Sequence, residues 1–502
     1  MSSPSRTDAT PPTATSLPLL AAALGLSMLA ACDTSGDDPG GDTGTDSGSD
    51  TETDSGADTG TDSQDDTGTV GCEPPAAPAI EHEGFIEADE VWGAGLHRVT
   101  WTVTVRPGAT LTIEPCAVVE LAPDQSIAVD GDAASRLVAR GEPDRPVRFV
   151  RADPVQAWGS LNAFAPAIID LAHVEIDGGG TTVADVGAAE LAGASLVVRN
   201  QTGAPIDMLR VDSVTVSNST GLGVMLDSAG FVAGSGSLAV TDSGTNPLYL
   251  GAGYASHLPT LRLEGNGDDR VLLQSVGAGV YDNSEPITWD AVLPDPGVPY
   301  LVGAPGTAPG IAVGDGRSET GPSTLTIEPG VELQVQGGDA GGAGVVVNGR
   351  IVDGLAQSQG ALVAVATAEA PIRMVSAAPE PGPGDWLGVV FSDLVAPSSR
   401  LAYVEIAHAG GESATVGRCV ARVGVSNYDA DCSVILSVDA PPTADLITNT
   451  TLRDGNGCGI YRGWTGEAVD LSATNLFVGL SGCDQSNVYD EVAAECIGGA
   501  CH

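Results

Sequence analysis

Gly108-Ala-Thr-Leu-Thr-Ile-Glu-Pro115 decides the fold. Thr110 and Thr112 alternate with Leu111 and Ile113, then Glu114-Pro115 breaks the run. A period of two is that of a strand with one buried face, and Pro marks the turn that ends it. Outward from it, Trp101-Thr-Val-Thr-Val105 alternates before the turn at Arg106-Pro-Gly-Ala109. Val118-Val-Glu-Leu121, Ile127-Ala-Val129 and Val147-Arg-Phe-Val150 continue the series. Short strands at close spacing predict an all-β fold. With 67 Gly and 33 Pro in 502 residues, turns are frequent. Aromatics make up 4% of the chain, so the core must be aliphatic.

The deciding stretch returns. Thr110-Leu-Thr-Ile-Glu-Pro115 recurs as Thr324-Leu-Thr-Ile-Glu-Pro329, and Pro146-Val-Arg-Phe-Val150 as Pro371-Ile-Arg-Met-Val375. Trp158-Gly159 recurs as Trp386-Leu-Gly388, and Leu171-Ala-His-Val-Glu-Ile176 as Leu401-Ala-Tyr-Val-Glu-Ile406. Val216-Ser-Asn-Ser-Thr-Gly-Leu-Gly-Val224 answers to Leu452-Arg-Asp-Gly-Asn-Gly-Cys-Gly-Ile460. Subtracting positions gives offsets of 214, 225, 228, 230 and 236. The order is kept and the offset only grows, as in a tandem duplication with small insertions. Two related halves are expected, 72–285 and 286–502. Strand pattern alone fits a sandwich or a solenoid.

The strings at 108–115 and 325–333, the latter followed by Pro-Ile-Arg and Trp386-Leu-Gly-Val-Val-Phe391, resemble the opening rungs of right-handed parallel β-helix proteins of bacterial surfaces. The segments at 216–224 and 452–460 resemble later rungs, with Asn near a turn and Gly-x-Gly before an apolar strand. The resemblance covers most of 90–480 and is weakest at 230–285. It implies stacked coils with a continuous aliphatic core, and covers for the two open ends. Residues 72–100 and the Cys-rich tail from Cys483 are the expected covers.

The chain opens on a different text. An apolar run from Leu17 to Ala31 ends in Leu29-Ala-Ala-Cys32. The run suits a signal peptide and is short for a membrane span. Leu-Ala-Ala-Cys resembles the lipobox of bacterial lipoproteins. That resemblance implies removal of residues 1–31 and acylation of Cys32, whose thiol takes the diacylglycerol. It places the protein in the cell envelope, held by lipid at the outer membrane or cell surface. An ordinary secretory signal is the alternative. Residues 33–71 hold twelve acidic residues and no basic one among Asp, Thr, Ser and Gly. Such a segment cannot offset its ordering entropy by burial, so 32–71 reads as a disordered tether.

The formal charge is −46, and every one of the 20 basic residues is Arg. Without Lys there is no P-loop and no Schiff base. The charge opposes nucleic acid and other acidic polymers. No cofactor is expected, although calcium would be permitted. Beyond Cys32 lie eight cysteines: Cys72, Cys116, Cys419, Cys432, Cys458, Cys483, Cys496 and Cys501. An even count behind a signal-like segment favours disulfides, and the lack of Cys-x-x-Cys argues against zinc. Local pairing gives 72–116, 419–432, 458–483 and 496–501. Cys116 stands where the second copy has Gly330, and Cys458 where the first has Leu222.

β-helix lyases and hydrolases gather carboxylates on neighbouring coils, so the resemblance admits a polysaccharide-degrading enzyme. The local candidates are His173, Glu175 and Asp177, with Asp170 upstream. The second copy has Tyr403, Glu405 and Ala407, with His408 and Glu412 beyond. Glu175 and Glu405 alternate with Val and Ile, so both are expected on the solvent side as surface carboxylates. His82 sits between Glu81 and Glu83, near the start of the folded body. His97, His257 and His502 stand without an acid–base partner in sequence. Gly337-Gly-Asp-Ala-Gly-Gly-Ala-Gly344 joins two strands and reads as a turn. No Gly-x-Ser-x-Gly and no His-Glu-x-x-His occurs. The sequence therefore favours a lipid-anchored surface β-helix that binds glycans or envelope or surface proteins, or serves structurally. A lyase or glycoside hydrolase and a β-sandwich adhesion module are the alternatives.

Overall fold

The computed structural model describes residues 71–72 and 78–497, apart from short internal stretches, the longest being 182–192, 275–285, 304–309, 315–321 and 420–429. The apolar leader, Cys32, the acidic tether, Cys501 and His502 lie outside the described residues.

Residues 95–99 of strand Gly95–Val105 pair in parallel with Ala117–Leu121, which pairs in parallel with Val147–Arg151. Residues 103–105 pair with Ile127–Val129, and that strand with Leu161–Phe164. Thr110–Ile113 pairs with Arg136–Arg140, which pairs with the start of Ile168–Asp177. Each of these coils thus adds one strand to each of three columns, and the folded body is a parallel β-helix. Sandwich sheets are antiparallel, so the adhesion-module alternative is set aside. Antiparallel pairing joins Val345–Val352 to Leu355–Val365 and Tyr489–Asp490 to Glu495–Cys496.

Alternation decides which side chains enter the coil. Ala117–Leu121 has its first, third and fifth residues buried. Parallel register then stacks like on like. His97, Val119, Phe149, Ile176, Val216, Val240 and Leu263 stand in one row of the first column. In the second column the row is Val129, Ala163, Val198, Leu226, Leu250, Leu273, Val302 and Val335. This second row passes from residue 273 to 302 without a break, so both halves share one core. Burying each Val, Leu or Ile contributes about 1.5–3 kcal/mol against its ordering entropy.

That row also reveals a change of column between the halves. Val271–Gln274 stands on the middle column of the first half. Above it come Tyr300–Val302, Glu332–Val335, Ile372–Ser376 and Val404–Ala407. Ile372–Ser376 carries the segment that matches residues 146–150 of the first column. The opening column of the second half therefore stands on the middle column of the first. The 3-10 helix Ala252–His257, the one helix among the described residues, lies at this junction.

The matched segments have matched surroundings. The Trp158 and Trp386 rings are fully buried, and their Nε1 groups donate to the carbonyls of Asp177 (2.7 Å) and Ala407 (2.8 Å). Glu114-Pro-Cys-Ala117 and Glu328-Pro-Gly-Val331 form the same turn. Ala117 N donates to Glu114 O at 3.2 Å and Val331 N to Glu328 O at 3.4 Å. Cys116 has φ 66° where Gly330 has φ 89°. A left-handed residue other than Gly costs roughly 1–2 kcal/mol. The Cys72–Cys116 disulfide at this turn is what the first copy gains from its Cys.

Three of the four local pairings expected from sequence are wrong. Cys432 bonds Cys458, and Cys419 bonds Cys496; the pairings 419–432, 458–483 and 496–501 do not form. Cys432 and Cys458 are register partners on neighbouring strands, with Cα atoms 4.5 Å apart. Proximity in a solenoid follows the coil period, here a separation of 26 residues, and not closeness in sequence. Cys483 is disulfide-bonded as well.

Polar side chains with hydrogen-bond partners stand inward at the first coil and near the far end of the core. At the first coil, His82 stacks on Trp92 with ring centroids 3.9 Å apart. His82 Nε2 lies 2.9 Å from His97 Nδ1, and His97 Nε2 lies 2.9 Å from the Gly93 carbonyl. A carbonyl only accepts, so His97 Nε2 carries a proton, its Nδ1 accepts, and His82 Nε2 donates. Trp92 Nε1 donates to Glu90 at 2.7 Å. At the far end, the buried Arg462 takes an inward place above Leu436. Its Nε donates to the Ser486 carbonyl and its Nη1 to the Val469 carbonyl at 2.9 Å. Burial pulls the Arg462 pKa below its ordinary value. The expected cover at 72–100 is thus the first coil itself, plugged by rings.

Two outcomes follow. Non-reducing peptide mapping should recover the Cys432–Cys458 and Cys419–Cys496 links, and Cys432→Ser with Cys458→Ser should lower stability by about 3 kcal/mol in chain-entropy terms. Recovery of a Cys419–Cys432 peptide would contradict this. The second concerns pH. Burial first, then the neighbouring His97 imidazole, lowers the His82 pKa from its ordinary 6.5, against the opposing pull of Glu90. The unfolded coil then binds a proton that the folded plug refuses. Stability from this group is present above about pH 6.5 and declines as pH falls below it. Protection factors of the amides in residues 80–92, taken relative to intrinsic exchange at each pH, should fall between about pH 7.5 and 5.5 in the natural chain and much less in His82→Phe.

Candidate functional site

The expected cluster of His173, Glu175 and Asp177 lies on one strand, Ile168–Asp177, where the third column bends into the first. His173 is the bend. Its φ is 49°, and the register of Ile168–Asp177 with Asp207–Ser217 steps over it. Ser213, Tyr403 and Asn449 make the same one-residue corner with φ of 55°, 55° and 49°. His173 is therefore placed by backbone geometry, as is its match Tyr403.

The carboxylates point outward as the alternation requires, and each meets an Arg of the coil below. Glu175 accepts from Arg148 Nε at 2.8 Å, and Asp170 from Arg140 at 2.6 Å. Asp177 accepts from Arg151 at 3.0 Å and from Asn218 Nδ2 at 2.6 Å. The second half repeats the device. Arg373 bridges Glu332 (2.8 Å) and Glu405 (3.2 Å), and Glu405 accepts from Arg453 Nε at 2.6 Å. Asp454 and Glu405 raise the Arg453 pKa above its ordinary value. These residues form ladders of alternating charge along the coils. Glu412 is exposed on the segment beyond. Among the described residues, no group of three or more His, Cys, Asp or Glu is placed to hold a metal. Of the Gly-rich stretch at 337–344, residues 338–342 lie outside the described residues.

Sequence reading left His257 without a partner, and this is corrected. His257 Nδ1 lies 3.0 Å from Asp207 Oδ2, and both side chains are nearly half exposed, at 44% and 42%. Fifty residues separate them, which is why no linear motif shows the pair. His257 ends the 3-10 helix at the junction, and Tyr254 lies on the same helix. Side chains three apart on such a helix eclipse, so Tyr254 and His257 share one side. Trp289 leans on Tyr254 with ring centroids 5.2 Å apart at 60°. Its Nε1 donates to the Gly253 carbonyl at 3.0 Å, which fixes the indole. Two glycines shape the place. A Cβ on Gly253 would come within 2.9 Å of the Trp289 ring, and one on Gly230 within 2.6 Å of Asp207 Oδ1 and 3.1 Å of Tyr254 O. A carboxylate that orients an imidazole can hold a polar ligand or serve as a general base.

No protein-family model matches the chain, and no curated protein does. A solved structure, the crystal structure of Dettilon tailspike protein, is 10% identical over 80% of this chain and 62% of that one, with a TM-score of 0.13. The chain thus spans less than two thirds of that protein's length. A likeness this slight carries no argument, and the parallel β-helix rests on the strand register above.

If His173 serves the corner, His173→Asn or His173→Gly should be tolerated. His173→Val, β-branched in a left-handed site, should cost about 1–2 kcal/mol in denaturant unfolding. Glu175→Gln should change stability by less than about 1 kcal/mol, because the pair is half exposed.

Proposed function

We propose that the protein is an envelope lipoprotein, acylated at Cys32 and lifted from the membrane by its acidic tether, whose β-helix binds extended ligands at the surface. Glycans and envelope or surface proteins are the partner classes that suit it. The observation that carries this reading is the tiling of the outer faces by arginine–carboxylate pairs between neighbouring coils. Each Arg fork spans two coils at the strand spacing of about 4.8 Å. The outcome is a rigid surface with a repeat along its length, which matches a polymer with a repeat of its own. The net charge of −46 favours neutral or basic partners over anionic ones.

A polysaccharide-degrading enzyme is the second reading, and the Asp207–His257 pair is the observation that favours it. The carboxylates named from sequence support it less, since Glu175 and Asp177 are engaged by arginine.

Metabolic labelling with palmitate should mark the natural chain and leave Cys32→Ala unmarked; an unlabelled natural chain would defeat the anchor. Glycan-array binding with product analysis separates the two readings of the folded body. Retention of intact glycan supports a binder, whereas cleavage lost in Asp207→Asn would establish the enzyme.

A further inference from the structure

The geometry points to a saccharide-binding subsite at the junction of the two halves, built from Trp289, Tyr254, His257 and Asp207. It rests on the reading of the chain as a glycan binder and names the place and the glycan class.

The chain has six Trp, and four of them, Trp92, Trp158, Trp386 and Trp464, are fully buried. Trp289 is half-buried and lies where the strand columns change places. Its indole is held at the N–H edge by the Gly253 carbonyl, rests against the border of the core and is steadied by the tilted Tyr254 ring. A fixed ring loses little conformational freedom when it takes a ligand. Beside it, on the side of the 3-10 helix shared with Tyr254, stand His257 and its carboxylate partner Asp207. Gly230 lets Asp207 lie close to the Tyr254 backbone, which brings the Asp207–His257 pair next to the Tyr254–Trp289 pair.

That combination has a chemical complement. A pyranose ring offers an apolar face of C–H groups and a rim of hydroxyls. The apolar face covers an aromatic ring, and the hydroxyls donate to a carboxylate and accept from an imidazole N–H. The charge of the chain selects among glycans. A uronic-acid or sulfated polymer would be repelled, so the subsite takes neutral hexose or N-acetylhexosamine chains.

The test is calorimetric titration of the full-length protein with cellohexaose, maltohexaose, chitohexaose and hexagalacturonate. A neutral hexaose should bind and hexagalacturonate should not. Trp289→Ala should weaken that binding at least tenfold, and Asp207→Asn and His257→Ala several-fold. Trp101→Ala, at an exposed Trp of the second coil, should leave it unchanged. Asp207→Asn and His257→Ala change exposed side chains, so their effect is separable from loss of the fold, and circular dichroism with Tm checks each variant. Binding that survives all three junction variants would overturn the subsite and leave the protein a glycan binder at another place. Failure of every hexaose to bind the natural chain would overturn both. A preference for hexagalacturonate would overturn the glycan class.

Discussion

Everything in this molecule depends on one contact, the seating of an inward aliphatic side chain on its equivalent in the coil below. Parallel main-chain hydrogen bonds hold the register, and the register sets one inward apolar side chain on another through row after row. Because each coil touches only its neighbours, stability accumulates along the axis and is weakest at the two ends. The ends show how the sequence answers that weakness. Aliphatic residues give way to His82, Trp92 and His97 at one end and to Arg462 and Trp464 at the other. All of these offer a hydrocarbon or aromatic surface to the core and a nitrogen to the polar side.

Arginine is the second constraint. A chain with no Lys has chosen the one cation that reaches two acceptors at fixed geometry. Arg373 uses that fork to touch Glu332 below and Glu405 above. Exposed pairs of this kind add little stability singly. Repeated along a column they order the surface, and a surplus of acid remains over the whole chain.

Much of the fold was legible. The period of two in 108–115, the turn at Glu-Pro and the return of both at 324–329 gave strands where strands are found. The outward direction of Glu175 and Glu405 followed from the same alternation. What escaped the sequence was everything set by the coil period. Cys432 finds Cys458 and not Cys419, and His257 finds Asp207 at fifty residues' distance. Arg148 and Glu175 form a pair that no linear motif announces. The lengths of individual turns fix these meetings, and turn lengths vary from coil to coil. His173 escaped for another reason: a left-handed φ at a non-glycine residue leaves no mark in composition.

The step by which the second half's opening column stands on the first half's middle column has a consequence for what the surface can do. A three-sided rod whose pattern restarts one side over presents its two similar decorations in different compass directions. The arginine ladders of the two halves therefore cannot fuse into a single long strip. One flat ligand would meet only one of them, whereas two separate ligands could approach from different azimuths without colliding.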